Sequence, residues 1–152
     1  TDLLQGELFF RGVKTLAPSV RLLYRTQLGA TWVSRFVDLP PSLRFFSGGS
    51  QSVRGYGYKD IGDRDNQGNN IGGRYLAVGS VEIDKLFENN FGIAAFVDTG
   101  TAAQRVDGNF STGIGAGLRY KTPVGVFRLD LAHPLDDPNN TFRVHLSIGV
   151  DI

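Results

Sequence analysis

Two arginines lie among apolar side chains in one irregular stretch of the sequence, and this composition predicts a buried ion pair. The stretch spans residues 39–58 and contains Arg44 and Arg54. Its large apolar members include Leu43, Phe45, Phe46, Tyr56 and Tyr58. Apolar side chains favour burial, and a guanidinium taken out of water needs a carboxylate in hydrogen-bonding geometry. We therefore expect the segment to fold inward and to give an arginine a buried carboxylate partner.

The pairing that the sequence favours is Arg54 with Asp98, shared with Glu82. Asp98 lies in the segment Phe96-Val97-Asp98-Thr99-Gly100, on the polar face of a predicted strand. An arginine on an inward-folded loop needs such a carboxylate within reach. The alternative is that Arg54 lies on a loop surface and that Asp98 caps a turn beside Gly100. Residue types alone leave both interpretations open.

Three glycines alternate in Gly113-x-Gly115-x-Gly117, followed by Arg119. The spacing does not match GxGxxG, and no predicted helix follows, so a nucleotide-binding loop is rejected. On a strand, three glycines on one face leave a flat strip that another part of the chain can approach closely. The inward loop is the segment that we expect to lie there.

Metal binding and hydrolysis are also disfavoured. Asp63 and Asp65 resemble the start of a calcium loop, but the twelfth position is Arg74 where such a loop requires a bidentate glutamate. His133 and His145 can be combined with serines and aspartates into a hydrolase site like that of a barrel phospholipase, yet no nucleophile-centred motif supports it. We expect no catalytic residue, no metal and no cofactor.

Composition limits the fold and the partners. The 152 residues carry a formal net charge of +1, which is too small to indicate nucleic acid as a partner. Twenty glycines, eleven phenylalanines and five tyrosines favour strands with aromatic faces that are separated by turns. Cysteine is absent, which excludes disulfides and thiol chemistry within this sequence. No apolar run approaches the ~20 residues of a membrane-spanning helix.

Hydrophobic residues alternate with polar ones along seven segments, which predicts seven β-strands of about 9 to 13 residues. The last segment is the clearest. Its apolar face comprises Phe142, Val144, Leu146, Ile148, Val150 and Ile152. Its other face comprises Arg143, His145, Ser147, Gly149 and Asp151. Short turns such as 88–90 join neighbouring segments, so we expect antiparallel pairing.

Strands of this length match the ~10-residue segments of a transmembrane β-barrel and exceed the ~5–6 residues that are common in soluble sheets. The alternative is a soluble β-sandwich. Gly, Phe and Arg occur together on the polar faces, as in a crowded barrel lumen. Single-chain barrels close with an even number of strands, because an unpaired backbone edge is costly in hydrocarbon. Seven strands therefore predict the C-terminal part of a larger barrel, with strands missing before Thr1.

Residues 39–58 resemble the sixth extracellular loop of the BamA/TamA superfamily of outer-membrane assembly barrels. The tetrad Val53-Arg54-Gly55-Tyr56 matches the hallmark of that loop, and Leu39-Pro40-Pro41-x-Leu43-Arg44-Phe45-Phe46 before it is more similar to TamA than to BamA or to two-partner secretion transporters. Further matches are Phe96-x-Asp98-x-Gly100, the Gly113/Gly115/Gly117/Arg119 strand, and Pro123-x-Gly125-x-x-Arg128-x-Asp130-x-Ala132-x-Pro134.

The resemblance implies a 16-stranded barrel preceded by periplasmic POTRA domains, with residues 1–152 as its last seven strands and residues 39–73 as the inward loop. In that family the tetrad arginine pairs in the lumen with the strand aspartate and contacts a glutamate on the strand before it. These residues correspond to Arg54, Asp98 and Glu82. The segment 141–152 would form one side of a lateral seam.

The implied function is non-enzymatic: insertion of β-barrel proteins and autotransporters into the bacterial outer membrane. The implied partners are outer-membrane lipid, unfolded barrel or autotransporter clients, and a TamB-like inner-membrane protein. The alternative within the superfamily is a two-partner secretion pore that releases its client through the lumen. A barrel hydrolase is the alternative from another class.

Overall fold

Seven antiparallel strands form one sheet in the computed structural model of the chain, which describes residues 2–137, 139 and 141–149. The strands are β1 (Leu3–Ala17), β2 (Val20–Val33), β3 (Tyr75–Leu86), β4 (Phe91–Ala103), β5 (Ser111–Thr122), β6 (Gly125–Pro134) and β7 (Arg143–Gly149). Each strand pairs with the next one along the chain, so β1 and β7 are the edge strands of this sheet. The prediction of seven antiparallel strands is confirmed. In the described ranges, no helix has the length and apolar character needed to cross a bilayer.

The two faces of the sheet differ in character at every strand. On the convex face Tyr24 pairs with Val81, Val81 with Val97, and Val97 with Ile114. Half of the surface of Val81 and of Val97 is exposed. One residue further along each strand, the concave face carries polar side chains, and those of Ser80 and Asp98 are buried. Since side chains alternate between faces, this register puts these apolar groups outside and these polar groups inside.

The connections differ in length between the two ends of the sheet. Those at one end are 18–19, 87–90 and 123–124. Those at the other end are 34–74, 104–110 and 135–142. Short turns at one end and longer loops at the other are typical of outer-membrane barrels, in which the short turns are periplasmic.

Residues 34–74 connect β2 to β3 and fold against the concave face. They include the predicted segment 39–73 and are called the inward loop from here on. The loop begins with two short 3-10 helices, Phe36–Asp38 and Pro41–Leu43. Phe36 and Leu39 form a buried cluster with Val33 at the end of β2. The Arg44 guanidinium lies 4.6 Å from the centre of the Phe36 ring, and its Nε donates to the carbonyl of Leu39 at 2.9 Å. Within the described residues Arg44 therefore uses carbonyl groups and a ring, not a carboxylate.

A second apolar cluster attaches the middle of the inward loop to the wall. Its loop members are Val53, Tyr56 and Ile61, and its wall members are Leu76, Val78 and Ala102. Val53 is completely buried. Burying an aliphatic side chain of this size stabilises a fold by about 1.5–3 kcal/mol. The cluster thus holds the loop against β3 and β4 on both sides of Arg54.

Candidate functional site in the concave face

Arg54 is the central side chain of the concave face, and Asp98 on β4 is its closest partner. The backbone N–H and Nε of Arg54 both donate to Oδ2 of Asp98, at 3.0 and 2.7 Å, and Nη2 donates to Oδ1 at 2.9 Å. Ser80 on β3 donates its hydroxyl to the same Oδ1 at 2.6 Å. The Phe96 ring centre lies 3.4 Å from the guanidinium carbon. Asp98 therefore binds the loop backbone at residue 54 as well as the guanidinium of Arg54.

Nη1 of Arg54 joins it to further charged groups on β3, β5 and β6. Nη1 donates to Oε2 of Glu82 on β3 at 2.7 Å and to Oδ2 of Asp130 on β6 at 3.0 Å. Arg119 on β5 binds the other oxygens of the same two carboxylates, Oε1 of Glu82 and Oδ1 of Asp130, at 2.7 and 2.6 Å. We call Arg54, Glu82, Asp98, Arg119 and Asp130 the charge ring.

All five members of the charge ring are buried, with at most 6% of any residue exposed. The carboxylates are therefore satisfied by two guanidinium groups and a hydroxyl. Burial by itself lowers the pKa of Arg54, but hydrogen bonds from its guanidinium to Asp98 and the charges of Asp98 and Glu82 outweigh burial and raise that pKa above its ordinary value. Arg54 thus stays charged at any physiological pH.

The other residues of the tetrad position Arg54. Gly55 adopts a positive φ of 98°, and a Cβ there would lie 3.1 Å from the backbone nitrogen of Pro134. The Tyr56 hydroxyl donates to the carbonyl of Thr112 at 3.1 Å and lies 3.3 Å from Oδ2 of Asp136. Burial raises the pKa of Tyr56, as does the nearby charge of Asp136. The tetrad therefore contacts β5 and the end of β6 as well as β3 and β4.

The glycine strip of β5 leaves space for the loop at Gly113 and for side chains of neighbouring strands at Gly115 and Gly117. A Cβ at Gly113 would lie 1.9 Å from the carbonyl oxygen of Arg54, and one at Gly115 would lie 2.5 Å from the Phe96 ring. A Cβ at Gly117 would meet an oxygen of Asp130. On β4, a Cβ at Gly100 would lie 2.8 Å from Val53. Each glycine leaves room for a named member of the site.

Beside the charge ring, a cavity of about 220 Å³ lies between the loop and strands β1, β2, β3, β6 and β7. Its lining includes Arg11, Arg25 and Arg128. Both terminal nitrogens of Arg25 donate to loop carbonyls, those of Gln51 and Ser52. These contacts attach the loop to β2 through the backbone of the segment that leads into the tetrad.

The two histidines have separate surroundings. His145 on β7 accepts a hydrogen bond from the backbone N–H of Gly55 through Nε2, at 2.9 Å. The His133 ring on β6 packs 5.1 Å from the Phe142 ring. Neither histidine has a hydrogen bond to a serine among the described residues, and no group of three or more potential ligands for a metal occurs in those residues.

Residues 5–152 match the sequence model of the Omp85 superfamily domain. The chain belongs to the Omp85 superfamily. A curated relative, the outer membrane protein assembly factor BamA of Nitratidesulfovibrio vulgaris strain Hildenborough, is 32% identical over 144 residues. That alignment covers 90% of this chain and 18% of the relative, so the chain spans less than a fifth of the relative's length.

A solved structure shows the same architecture for this Omp85 chain. BamA from Haemophilus ducreyi lacking POTRA domains 1–3 matches with a TM-score of 0.76 and 18% identity, over 97% of this chain and 35% of that one. The sheet thus has the fold of part of a BamA barrel. The predicted superfamily, the all-β barrel fold and the bacterial outer-membrane location are confirmed.

The last strand of the Omp85 chain begins later than the segment 141–152 that the sequence predicts. β7 begins at Arg143, so Phe142 precedes the strand, and Val150 and Ile152 lie outside the described residues. Val144, Leu146 and Ile148 face outward and are 64%, 71% and 61% exposed. Phe142 does not pair with β6, because the register ends where Ala132 meets Arg143.

Sequence reasoning missed three residues that contact the site around Arg54. Ser80, Asp130 and His145 contact Arg54, Asp98 or Gly55, but none was assigned a role. A signal existed for Asp130, which shares the polar face of β6 with Arg128 and pairs with Gly117, two residues from Arg119. No local pattern marks Ser80 or His145, since each is one polar residue among several on an alternating strand.

Proposed function

We propose that this chain forms the C-terminal part of a 16-stranded outer-membrane barrel that inserts β-barrel proteins and autotransporters through a lateral seam. The proposal includes POTRA domains and further strands upstream of residue 1, and a mechanism without enzymatic chemistry. Its clients are unfolded barrel or autotransporter strands together with outer-membrane lipid.

The observation that carries the proposal is that β7 is an edge strand. In the described part of the chain its backbone pairs with β6 on one side, and its outward side chains are apolar. A backbone N–H or C=O left unpaired in hydrocarbon costs several kcal/mol. An incoming strand that pairs with β7 removes this cost, so pairing captures the client without an external energy source.

The charge ring, on the concave face of the sheet, also supports the proposal. Arg54 contacts β3 and β4 in the middle of the sheet and β6 beside β7, so the inward loop holds these strands in place while β7 exchanges partners. A wall braced in this way stays folded when β7 departs from its neighbour.

Within the superfamily we propose a TamA-type protein that works with a TamB-like inner-membrane partner. The support is the sequence Leu39-Pro40-Pro41 and the residues that follow it, which begin the inward loop. The curated relative is a BamA, and both types are insertases in this proposal. Counting the POTRA domains of the full-length protein distinguishes them, with three expected for a TamA type.

Site-specific cross-linking in the full-length protein tests the seam. Because the present sequence has no cysteine, single cysteines can be placed on the outward face of β7 (Val144→Cys), on the outward face of β4 (Val97→Cys) and on the inward face of β1 (Phe9→Cys). A client strand with its own cysteine is then assembled in proteoliposomes, and disulfides are quantified.

We expect adducts at Val144→Cys and none at Val97→Cys, which is the matched outward-facing control. Adducts at Phe9→Cys instead would favour passage through the lumen and hence the two-partner secretion alternative. Equal adducts at Val144→Cys and Val97→Cys would rule out a dedicated seam.

A further inference from the structure

One hydrogen bond links the tetrad of the inward loop to the edge strand. The backbone N–H of Gly55 donates to Nε2 of His145 on β7, at 2.9 Å. The other inward-facing side chains of β7 are those of Arg143 and Ser147, and in the described residues neither makes a hydrogen bond to the loop. His145 is therefore the polar contact through which the loop holds β7.

This contact is much weaker than those that hold the loop to β3, β4 and β6. β3, β4 and β6 bind Arg54 through carboxylates, in charge-assisted hydrogen bonds with distances of 2.7–3.0 Å. Such bonds are roughly twice as strong as neutral ones. The Gly55–His145 bond joins two neutral groups. When loop and wall separate, the loop consequently releases β7 before it releases β3, β4 or β6.

The chemistry of the bond also makes it dependent on protonation. A backbone N–H can only donate, so Nε2 must carry a lone pair, and an imidazolium has none to offer. The charged groups near the ring are Arg143 on β7, Arg54 on the loop, Asp130 on β6 and Asp98 on β4. Both carboxylates already bind arginines of the charge ring. A protonated His145 would thus lose its bond to Gly55 and lie beside two cations.

We propose that His145 is a positioning residue that holds β7 against the inward loop, and that protonation of its imidazole releases the strand. The release of β7 from the loop does not depend on the proposed function. Its consequence does, because only in an insertase would a released β7 pair more readily with a client. The position of β7 can be measured without any client, so a failure here would leave the proposed function untouched.

Distances between two spin labels test the proposal in the full-length protein in liposomes. The labels are attached at Tyr58→Cys, on the loop and 82% exposed, and at Leu146→Cys, on the outward face of β7 and 71% exposed. Distance distributions are recorded at about pH 8 and about pH 5, the limits between which histidine ordinarily changes charge. We expect one narrow distribution at the higher pH and a broader, longer one at the lower pH.

Three variants distinguish the loss of the hydrogen-bond acceptor at position 145 from a general disturbance of the fold. His145→Gln supplies an amide oxygen at a similar reach that does not titrate in this range, and it should keep the narrow distribution at both pH values. His145→Phe preserves a flat ring without an acceptor and should give the broad distribution at both. His133→Gln changes the other histidine, whose side chain makes no hydrogen bond to the tetrad in the described residues, and it should respond to pH as the unmodified protein does.

The proposal is overturned if His145→Gln still broadens at low pH, or if the response disappears in His133→Gln. A narrow distribution in His145→Phe at both pH values would also overturn it. His145→Gln by itself shows whether the response to pH depends on protonation of residue 145. The test therefore remains decisive even if His145→Phe does not fold.

Discussion

Arg54 and Asp98 are joined through both the backbone and the side chain of the arginine. The main-chain N–H and Nε share one carboxylate oxygen, at 3.0 and 2.7 Å, while Nη2 takes the other at 2.9 Å. Asp98 therefore fixes the path of the loop at residue 54 in addition to neutralising its guanidinium. A lysine at position 54 would keep the main-chain contact and the positive charge, but it would lose the forked contact of Nε and Nη2 with the two carboxylate oxygens.

Arg54→Ala should destabilise the protein by about 3–5 kcal/mol, because it leaves Glu82 and Asp98 buried beside a single remaining arginine. Arg54→Lys should recover only part of this, since an ammonium cannot bind three carboxylates with fixed forked geometry. The measurement is urea unfolding in liposomes together with protease protection of the inward loop. The matched control is Arg35→Ala, where an exposed pair with Asp38 is lost and about 0–1 kcal/mol is expected. An Arg54→Ala variant as stable as this control would contradict the charge ring.

Gly113→Ala should displace the inward loop from β5. The added Cβ would lie 1.9 Å from the carbonyl oxygen of Arg54, and backbone atoms on both sides leave little room for adjustment. Overpacking of this kind typically costs about 1–3 kcal/mol. Gly6→Ala on β1 is the control, because nothing lies within 4 Å of its Cβ. Protease cleavage in the loop should rise in the first variant and stay unchanged in the second; similar cleavage in both would argue against the close contact.

Tyr56→Phe should weaken the attachment of the loop to β5 by about 1 kcal/mol, the net value of a typical hydrogen bond. The ring would remain in its apolar cluster, while the hydroxyl contacts to Thr112 and Asp136 would be lost. Unfolding in urea measures the change. Tyr58→Phe provides the comparison, since Tyr58 is 82% exposed and should be neutral. A larger loss at Tyr58 than at Tyr56 would be incompatible with the described loop.

Leu118→Arg should reduce folding into bilayers, because Leu118 lies on the convex face and is 56% exposed there. A charge on the lipid face of a barrel costs about 2–4 kcal/mol at the midplane and about 0–1 near the interfaces. Val124→Arg, in the two-residue turn between β5 and β6, is the matched control. Folded fractions in liposomes, read by gel mobility with and without heating, should fall only for Leu118→Arg. Equal folding of the two variants would mean that the convex face does not meet lipid.

The strands were predictable from sequence because alternation leaves one register for each of them. Val81 and Ile83 can face lipid only if Ser80 and Glu82 face inward, and the same reasoning places Asp98 on the concave face. The inward loop was also predictable, since its aromatic side chains are costly in water and its arginine is costly in hydrocarbon. The limits of β7 were less accurate, because Phe142 continues the apolar pattern without pairing to β6.

The full set of contacts required the structure. Asp130 is 76 residues from Arg54 along the chain, and its place in the charge ring depends on how strongly the sheet curves. Arg44 and Arg54 have similar sequence surroundings, yet Arg44 packs on Phe36 while Arg54 binds carboxylates. The difference lies in which wall residues face each arginine, and that follows from three-dimensional position alone.

The reach of Arg54 has a geometric consequence for the whole wall. In a flat sheet β3 and β6 would be separated by three inter-strand spacings, about 14 Å in all. Yet a single nitrogen of Arg54 lies 2.7 Å from Glu82 on β3 and 3.0 Å from Asp130 on β6. Only a tightly bent sheet brings these carboxylates together. Arg54 from the loop and Arg119 from β5 both join these two carboxylates, so the loop and the wall together hold the curvature of the sheet.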